Sequence, residues 1–156
     1  MPVKQEIKSQ LAKLLATEDL IVEHKQVETA QFNVDTRVLI LPIWVKASNT
    51  VYDMLVGHEV GHALYTPNVD PPKDVPHQFI NVVEDARIEK LIKRRYPGLA
   101  KTFYNAYNEL NDEDFFDVEH EDIDTFNLAD RANLYFKIGS FLNISFTTRE
   151  KEIVDL

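Results

Sequence analysis

The sequence predicts an α+β domain, a small antiparallel sheet of about three strands packed on a mostly helical core. Three observations predict it. Apolar residues recur at helical spacing before residue 17 and again from Val51 onward. Between those stretches, from Leu20 to Pro42, the period shortens toward two and β-branched residues become dense. Helix breakers then divide the later part of the chain, with Pro67, Pro71, Pro72 and Pro76 in one loop and Pro97-Gly98 in another.

Taken in order, Lys4 to about Ala16 forms an amphipathic helix, with Ile7, Leu11, Leu14 and Leu15 on its apolar side and Lys4, Lys8 and Lys13 on its polar side. Thr17-Glu18-Asp19 ends it. Leu20 to Val22, Thr29 to Val34 and Thr36 to Leu41 read as strands, the last two joined by a tight turn at Asn33-Val34-Asp35-Thr36. The third strand, ending at Pro42, is either a wall of a binding cleft or simply a support for the helix that follows. Ser48-Asn49-Thr50 supplies capping residues, and Thr50 is the expected N-cap of a helix running to about Tyr65, with Asp53 in its first turn. A further helix spans about His77 to Tyr96. Leu99 to Leu110 is helical with an aromatic stripe of Phe103, Tyr104 and Tyr107, and Asn127 to Leu142 returns to helical spacing. Glu109 to Asp124 holds nine acidic residues and no basic one, without the glycine and glutamate spacing of an EF-hand, so it reads as a solvated acidic loop. Thr147 to Val154 resembles the capped start of another helix, and the chain stops inside that pattern, so residues 1–156 are expected to be one domain, either the N-terminal part of a longer chain or a short form whose relatives continue.

Composition narrows the function. A chain of 156 residues with 44% hydrophobic content can bury one real core. Cysteine is absent, so neither disulfides nor thiolate ligands are available and any metal ion must be held by histidine and carboxylate. Seventeen Lys and Arg against 26 Asp and Glu give a formal net charge of −9, which argues against broad attraction to nucleic acid or anionic lipid. The basic cluster Lys90, Lys93, Arg94 and Arg95 sits where a helix C-terminus favours cations. No apolar run reaches membrane-spanning length and Met1-Pro2-Val3-Lys4 opens a charged pattern, so the expected setting is the cytoplasm.

The chemistry concentrates in His58-Glu59-Val60-Gly61-His62. On an α-helix, residues four apart lie one turn above each other, so two imidazoles reach one metal ion while the carboxylate between them projects toward a water on that ion. A catalytic zinc ion takes three protein ligands and keeps a position for water. Glu84 is the first choice for the third ligand, because Ile80, Glu84, Arg87, Ile88 and Leu91 share one face of the next helix and a carboxylate among apolar neighbours needs a partner. Arg87, one turn away, is the other partner open to it. Asp85, about 100° round the helix, is the runner-up ligand, and His77 and His120 are chemically able. With zinc in place, Glu59 would act as general base on the water and then as proton donor to the leaving amine. Tyr104, Tyr107, Tyr65, His77 and Arg87 are the candidate oxyanion donors, and Asp85, Asn81 or Asp53 could orient a ligand imidazole through its second nitrogen.

The segments GHEVGHALYTP and NVVEDARIE resemble the gluzincin group of zinc metallopeptidases, built on HExxH followed by a downstream Glu ligand. More narrowly they resemble metallopeptidase-like domains of phage and bacterial proteins, often joined to a von Willebrand A-type domain. The resemblance covers about Thr29 to Gly98. It implies a zincin-like helical core, a zinc cofactor held by His58, His62 and Glu84, Glu59 as catalytic base, a peptide or protein substrate, and, for a phage protein, the host cytoplasm. Many gluzincins carry an Asp four residues after the Glu ligand, and Ile88 stands there in this chain. Whatever orients the first histidine must then come from elsewhere, with Asp85 or the surroundings of Arg87 as candidates. No Asp-x-Ser-x-Ser motif is present, so a von Willebrand A-type partner would be a separate chain or domain. A reading from a different class is an inactive or autoinhibited zinc-binding module for regulation or interaction, its acidic and aromatic C-terminal part binding a partner or covering the cleft.

Overall fold

The computed structural model describes residues 4–44, 47–112, 122–139 and 144–155. In chain order these build α1 (Gln5–Ala16), β1 (Ile21–Lys25), β2 (Gln31–Asn33), β3 (Val38–Pro42), α2 (Asn49–Tyr65), α3 (His77–Arg95), α4 (Gly98–Asp112), a 3-10 turn (Ile123–Thr125), α5 (Leu128–Ile138) and α6 (Thr148–Val154). Helices dominate and the strands form one small sheet, the α+β arrangement the sequence predicts. The greater part of the acidic run, including His120, lies outside the described residues. Among the described residues no helix is long and apolar enough to cross a membrane.

The sheet is mixed, which corrects the antiparallel expectation. Its order is β1-β3-β2, with β1 parallel to β3 and β2 antiparallel to it. The β2–β3 hairpin is built locally: the Asn33 side chain accepts from the N–H groups of Asp35 and Thr36, and Arg37 adopts a left-handed φ of 60°. Residues 26–30, pinned by buried Ala30, then carry the chain from β1 past the C-terminal end of β3, so that β2 pairs on the far side. Arg37 ties this corner down. Its guanidinium grips both oxygens of Glu18 at 3.0 and 2.7 Å and donates to the Ala63 carbonyl near the end of α2 at 2.8 Å.

Helix α2 occupies the centre. It packs against α1, α3 and α4 and also touches β2 and β3. Ser48, two residues ahead of the expected cap, accepts from Val51 N–H at 3.2 Å and starts it. Nine of its residues are buried, from Val51 and Tyr52 on one side to Val60 and Gly61 on another. A helix apolar nearly all round must be enclosed. Leu39 and Leu41 of β3, Ala12 and Ala16 of α1, Phe103 and Ala106 of α4, and Leu134 and Ile138 of α5 complete the same core. Asp53 faces α1 and pairs with Lys8, an ammonium group that would otherwise be buried alone.

The approach of α3 to α2 is set at Gly61. A Cβ there would lie 2.8 Å from Ile88 Cδ1 and 3.4 Å from the Ile88 carbonyl oxygen, so the helices meet with no room for a branched side chain. That contact sits within one turn of both histidines. Gly61→Val is expected to destabilise the protein by about 1–3 kcal/mol in chemical denaturation, with Gly61→Ala milder because the tip of Ile88 can turn aside; a Val variant as stable as the parent would contradict this packing.

Candidate metal centre

The spacing of the motif does what helical geometry requires. His58 and His62 stand one turn apart on α2 with ring centroids 5.0 Å apart and planes at 72°. Their Nε2 atoms converge on Oδ1 of Asp85 from α3, at 3.4 Å from His58 and 3.1 Å from His62. One ligand atom from each of the three residues falls within 4.8 Å of the others, close enough to share a single ion. The opposite ring nitrogens are held from behind. His58 Nδ1 lies 2.7 Å from the Glu89 carboxylate and His62 Nδ1 lies 2.8 Å from Thr66 Oγ1. With Nδ1–H donating to those oxygens, the Nε2 lone pairs point at the common centre, the orientation that an outer shell imposes on metal-binding imidazoles.

Glu89 is 4% exposed and also accepts a short hydrogen bond from the Tyr107 hydroxyl on α4. Glu59 is 7% exposed and lines the same cleft of about 530 Å³ as His58, His62, Asp85, Asn81, Tyr107 and Lys137. Lys137 enters from α5, its Nζ 3.6 Å from Oδ2 of Asp85. Three carboxylates, Glu59, Asp85 and Glu89, thus crowd one ammonium group and the His58 imidazole, and with both imidazoles neutral the two surplus negative charges would match one divalent cation. Two imidazole nitrogens and a carboxylate oxygen are a donor set that zinc accepts. The residues fit the ion.

The electrostatics carry the same signature. Burial opposes the charged form of His58, but the hydrogen bonds of Asp85 and Glu89 and the charge of Glu59 outweigh it and push the imidazole up to about 10. Burial would raise Asp85, yet hydrogen bonds from His58 and His62 and the charge of Lys137 hold it well below the usual carboxylate range. Glu89 is lowered likewise against its burial, mainly by His58. Glu59 is raised, because burial exceeds the pull of the two histidines.

Several sequence candidates lie elsewhere. Glu84, the first choice for third ligand, has its carboxylate taken by Arg87 at 2.5 Å, and Arg87 also donates to the Tyr65 carbonyl at 2.6 Å, closing the C-terminal end of α2. The inward stripe of α3 is Val82, Asp85, Ile88, Glu89 and Ile92, turned by about one residue from the predicted face. His77 is exposed at the start of α3, Tyr104 is 53% exposed on α4, and neither Tyr65 nor Asp53 lines the cleft. Tyr107 is at the site, behind His58. Glu89, Thr66 and Lys137 went unread in the sequence. A usable signal existed for Glu89: with Asp85 as ligand, the position four residues on is not Ile88 but Glu89, an acidic group at the spacing the gluzincin resemblance asks for.

Comparison with known proteins adds nothing to this geometry: no family model matches the chain, and no curated protein or solved structure matches it.

Asp85→Ala is expected to weaken zinc binding by about 100-fold or more, and Glu84→Ala to change it by less than about threefold, in titrations against a competing chelator. The reverse ranking would return Glu84 to the ion. Zinc must also displace the His58 proton, so its affinity is expected to rise about tenfold per pH unit between pH 6 and 8. For the metal-free protein the sign is opposite. A folded value near 10 against 6.5 contributes stability that is fully present below pH 6.5 and is lost as pH rises through 10. Zinc affinity independent of pH would contradict a protonated His58.

Proposed function

We propose that this chain is a zinc-dependent metallopeptidase-like hydrolase that cleaves peptide bonds, with His58, His62 and Asp85 holding the ion and Glu59 as general base. The observation that carries the proposal is the cleft itself, where the carboxylate between the two histidines opens on the same space as their converging nitrogens. A bound zinc ion supplies the electrophile there, polarising a carbonyl and making a water acidic near neutral pH.

The chain's own groups do the rest. Glu59, buried between the two histidines and lining the cleft, is placed to take a proton from a water there and to return it to a departing amine. Glu89 and Thr66 keep the imidazoles in the tautomer that leaves Nε2 free. β2 is one of the two edges of the sheet, and Thr29, Ala30, Gln31 and Phe32 line the cleft, so an extended peptide can add to that edge as a further strand beside the site. The wall of the cleft is therefore the second strand and not the third. The proposal extends to a protein of phage or bacterial type acting in the cytoplasm, with a von Willebrand A-type domain as a candidate partner, on the resemblance of its motifs.

Glu59→Gln is expected to reduce hydrolysis of an unfolded protein substrate by at least about 10²-fold, the contribution of a general base, while zinc stoichiometry stays unchanged. Equal activity in both proteins would remove Glu59 from the reaction. A zinc-loaded wild type that cleaves no peptide or protein would favour the regulatory module instead.

A further inference from the structure

The cleft contains one cation that the sequence motif does not supply. Lys137 sits in the last turn of α5, a helix capped by Asn127 through the Asp130 N–H and packed on α3 and α4. Its side chain is 19% exposed and its ammonium group reaches the same cleft as Glu59 and the three donor atoms. Asp85 separates the two centres: Oδ1 faces the imidazoles at 3.1 and 3.4 Å, while Oδ2 faces Lys137 Nζ at 3.6 Å. That distance is an ion pair too long for a hydrogen bond, and the contact engages one direction of a group that has three N–H donors. Tyr107, the other polar donor deep in the cleft, is committed to Glu89.

We propose that Lys137 is the second oxyanion donor of this site, directing an N–H at the carbonyl oxygen of the scissile peptide bond as that oxygen gains negative charge. The inference rests on the peptidase reading. When water adds to the carbonyl carbon, its proton goes to Glu59, the π-electron pair moves onto the oxygen, and Lys137 stabilises that charge without giving up a proton. The oxygen returns its pair when the C–N bond breaks and the amine leaves with the proton from Glu59. The Asp85 carboxylate spans the distance from the ammonium to the point where the imidazoles converge, so an oxygen lying alongside that carboxylate in the cleft can come within reach of Lys137 Nζ while it faces the imidazole side.

The test uses the zinc-loaded full chain, Lys137→Met, which keeps the length and removes the charge, and Lys137→Arg. An N-phosphoryl dipeptide, whose tetrahedral anion mimics the adduct, is the calorimetric probe, alongside kcat and KM on a peptide and zinc stoichiometry. Lys137→Met is expected to weaken the probe about 100-fold and to lower kcat about 10²–10³-fold with KM nearly unchanged. Zinc content should stay at the parent level, and Lys137→Arg should recover part of both losses. A probe that does not bind the wild type, or binds both proteins equally, overturns the proposal. So does loss of zinc in Lys137→Met, which would make the lysine a support for Asp85. If the wild type binds the probe with the predicted dependence on Lys137 yet hydrolyses nothing, the peptidase reading fails while the anion-binding role stands.

Discussion

A carboxylate with 4% of its surface exposed has to be neutralised by its neighbours, and Glu89 answers that demand by gripping His58 Nδ1 at 2.7 Å and taking a hydrogen bond from Tyr107. The rest of the site depends on this contact. It joins three helices, α2, α3 and α4, at one buried point. Because His58 must turn its Nδ1 toward Glu89, its Nε2 turns toward Asp85, one helical turn before Glu89 on α3. The close passage of Gly61 against Ile88 brings the two helices near enough for both contacts to form. Packing and chemistry share the same few residues.

The acidic crowding is balanced within the protein itself. Depressed Asp85 and charged His58 support each other in the metal-free state, and raised Glu59 is the departure that costs stability there. A divalent cation would take over the role of the imidazolium proton, pairing with the carboxylates while His58 becomes neutral. Conformational order around the centre comes from groups that have no part in the chemistry. Arg37 clamps the hairpin to the end of α2, Arg87 clamps α3 to the Tyr65 carbonyl, and the half-buried Lys8–Asp53 pair ties α1 to another side of α2.

Much of this was legible in the sequence where the physics is local. HExxH depends only on the helical repeat, and His58, Glu59 and His62 meet in one cleft as that repeat requires. The proline-rich loop before His77 and the Pro97-Gly98 break after α3 likewise mark real boundaries. The phase of α3 was not legible, because Ile80, Val82, Val83, Ile88, Leu91 and Ile92 spread apolar character over much of its circumference and only tertiary packing selects the buried stripe. Glu84 and Asp85 are adjacent in sequence but about 100° apart around the helix, so that phase decides which one meets the histidines. Strand order is a long-range property too, and nothing in Leu20 to Pro42 declares that β1 runs parallel to β3. Lys137 lies more than fifty residues beyond Asp85, and a lysine in a last helical turn reads as an ordinary dipole partner until the fold brings it to the cleft.

The central claim is that one divalent ion sits between α2 and the Asp85 face of α3. Anomalous diffraction at the zinc edge from zinc-loaded crystals tests it most directly. The expected result is a single peak within about 2.0–2.2 Å of His58 Nε2, His62 Nε2 and a carboxylate oxygen of Asp85, with Glu84 still paired to Arg87. A peak coordinated by Glu84, or no peak between the two histidines, would contradict it.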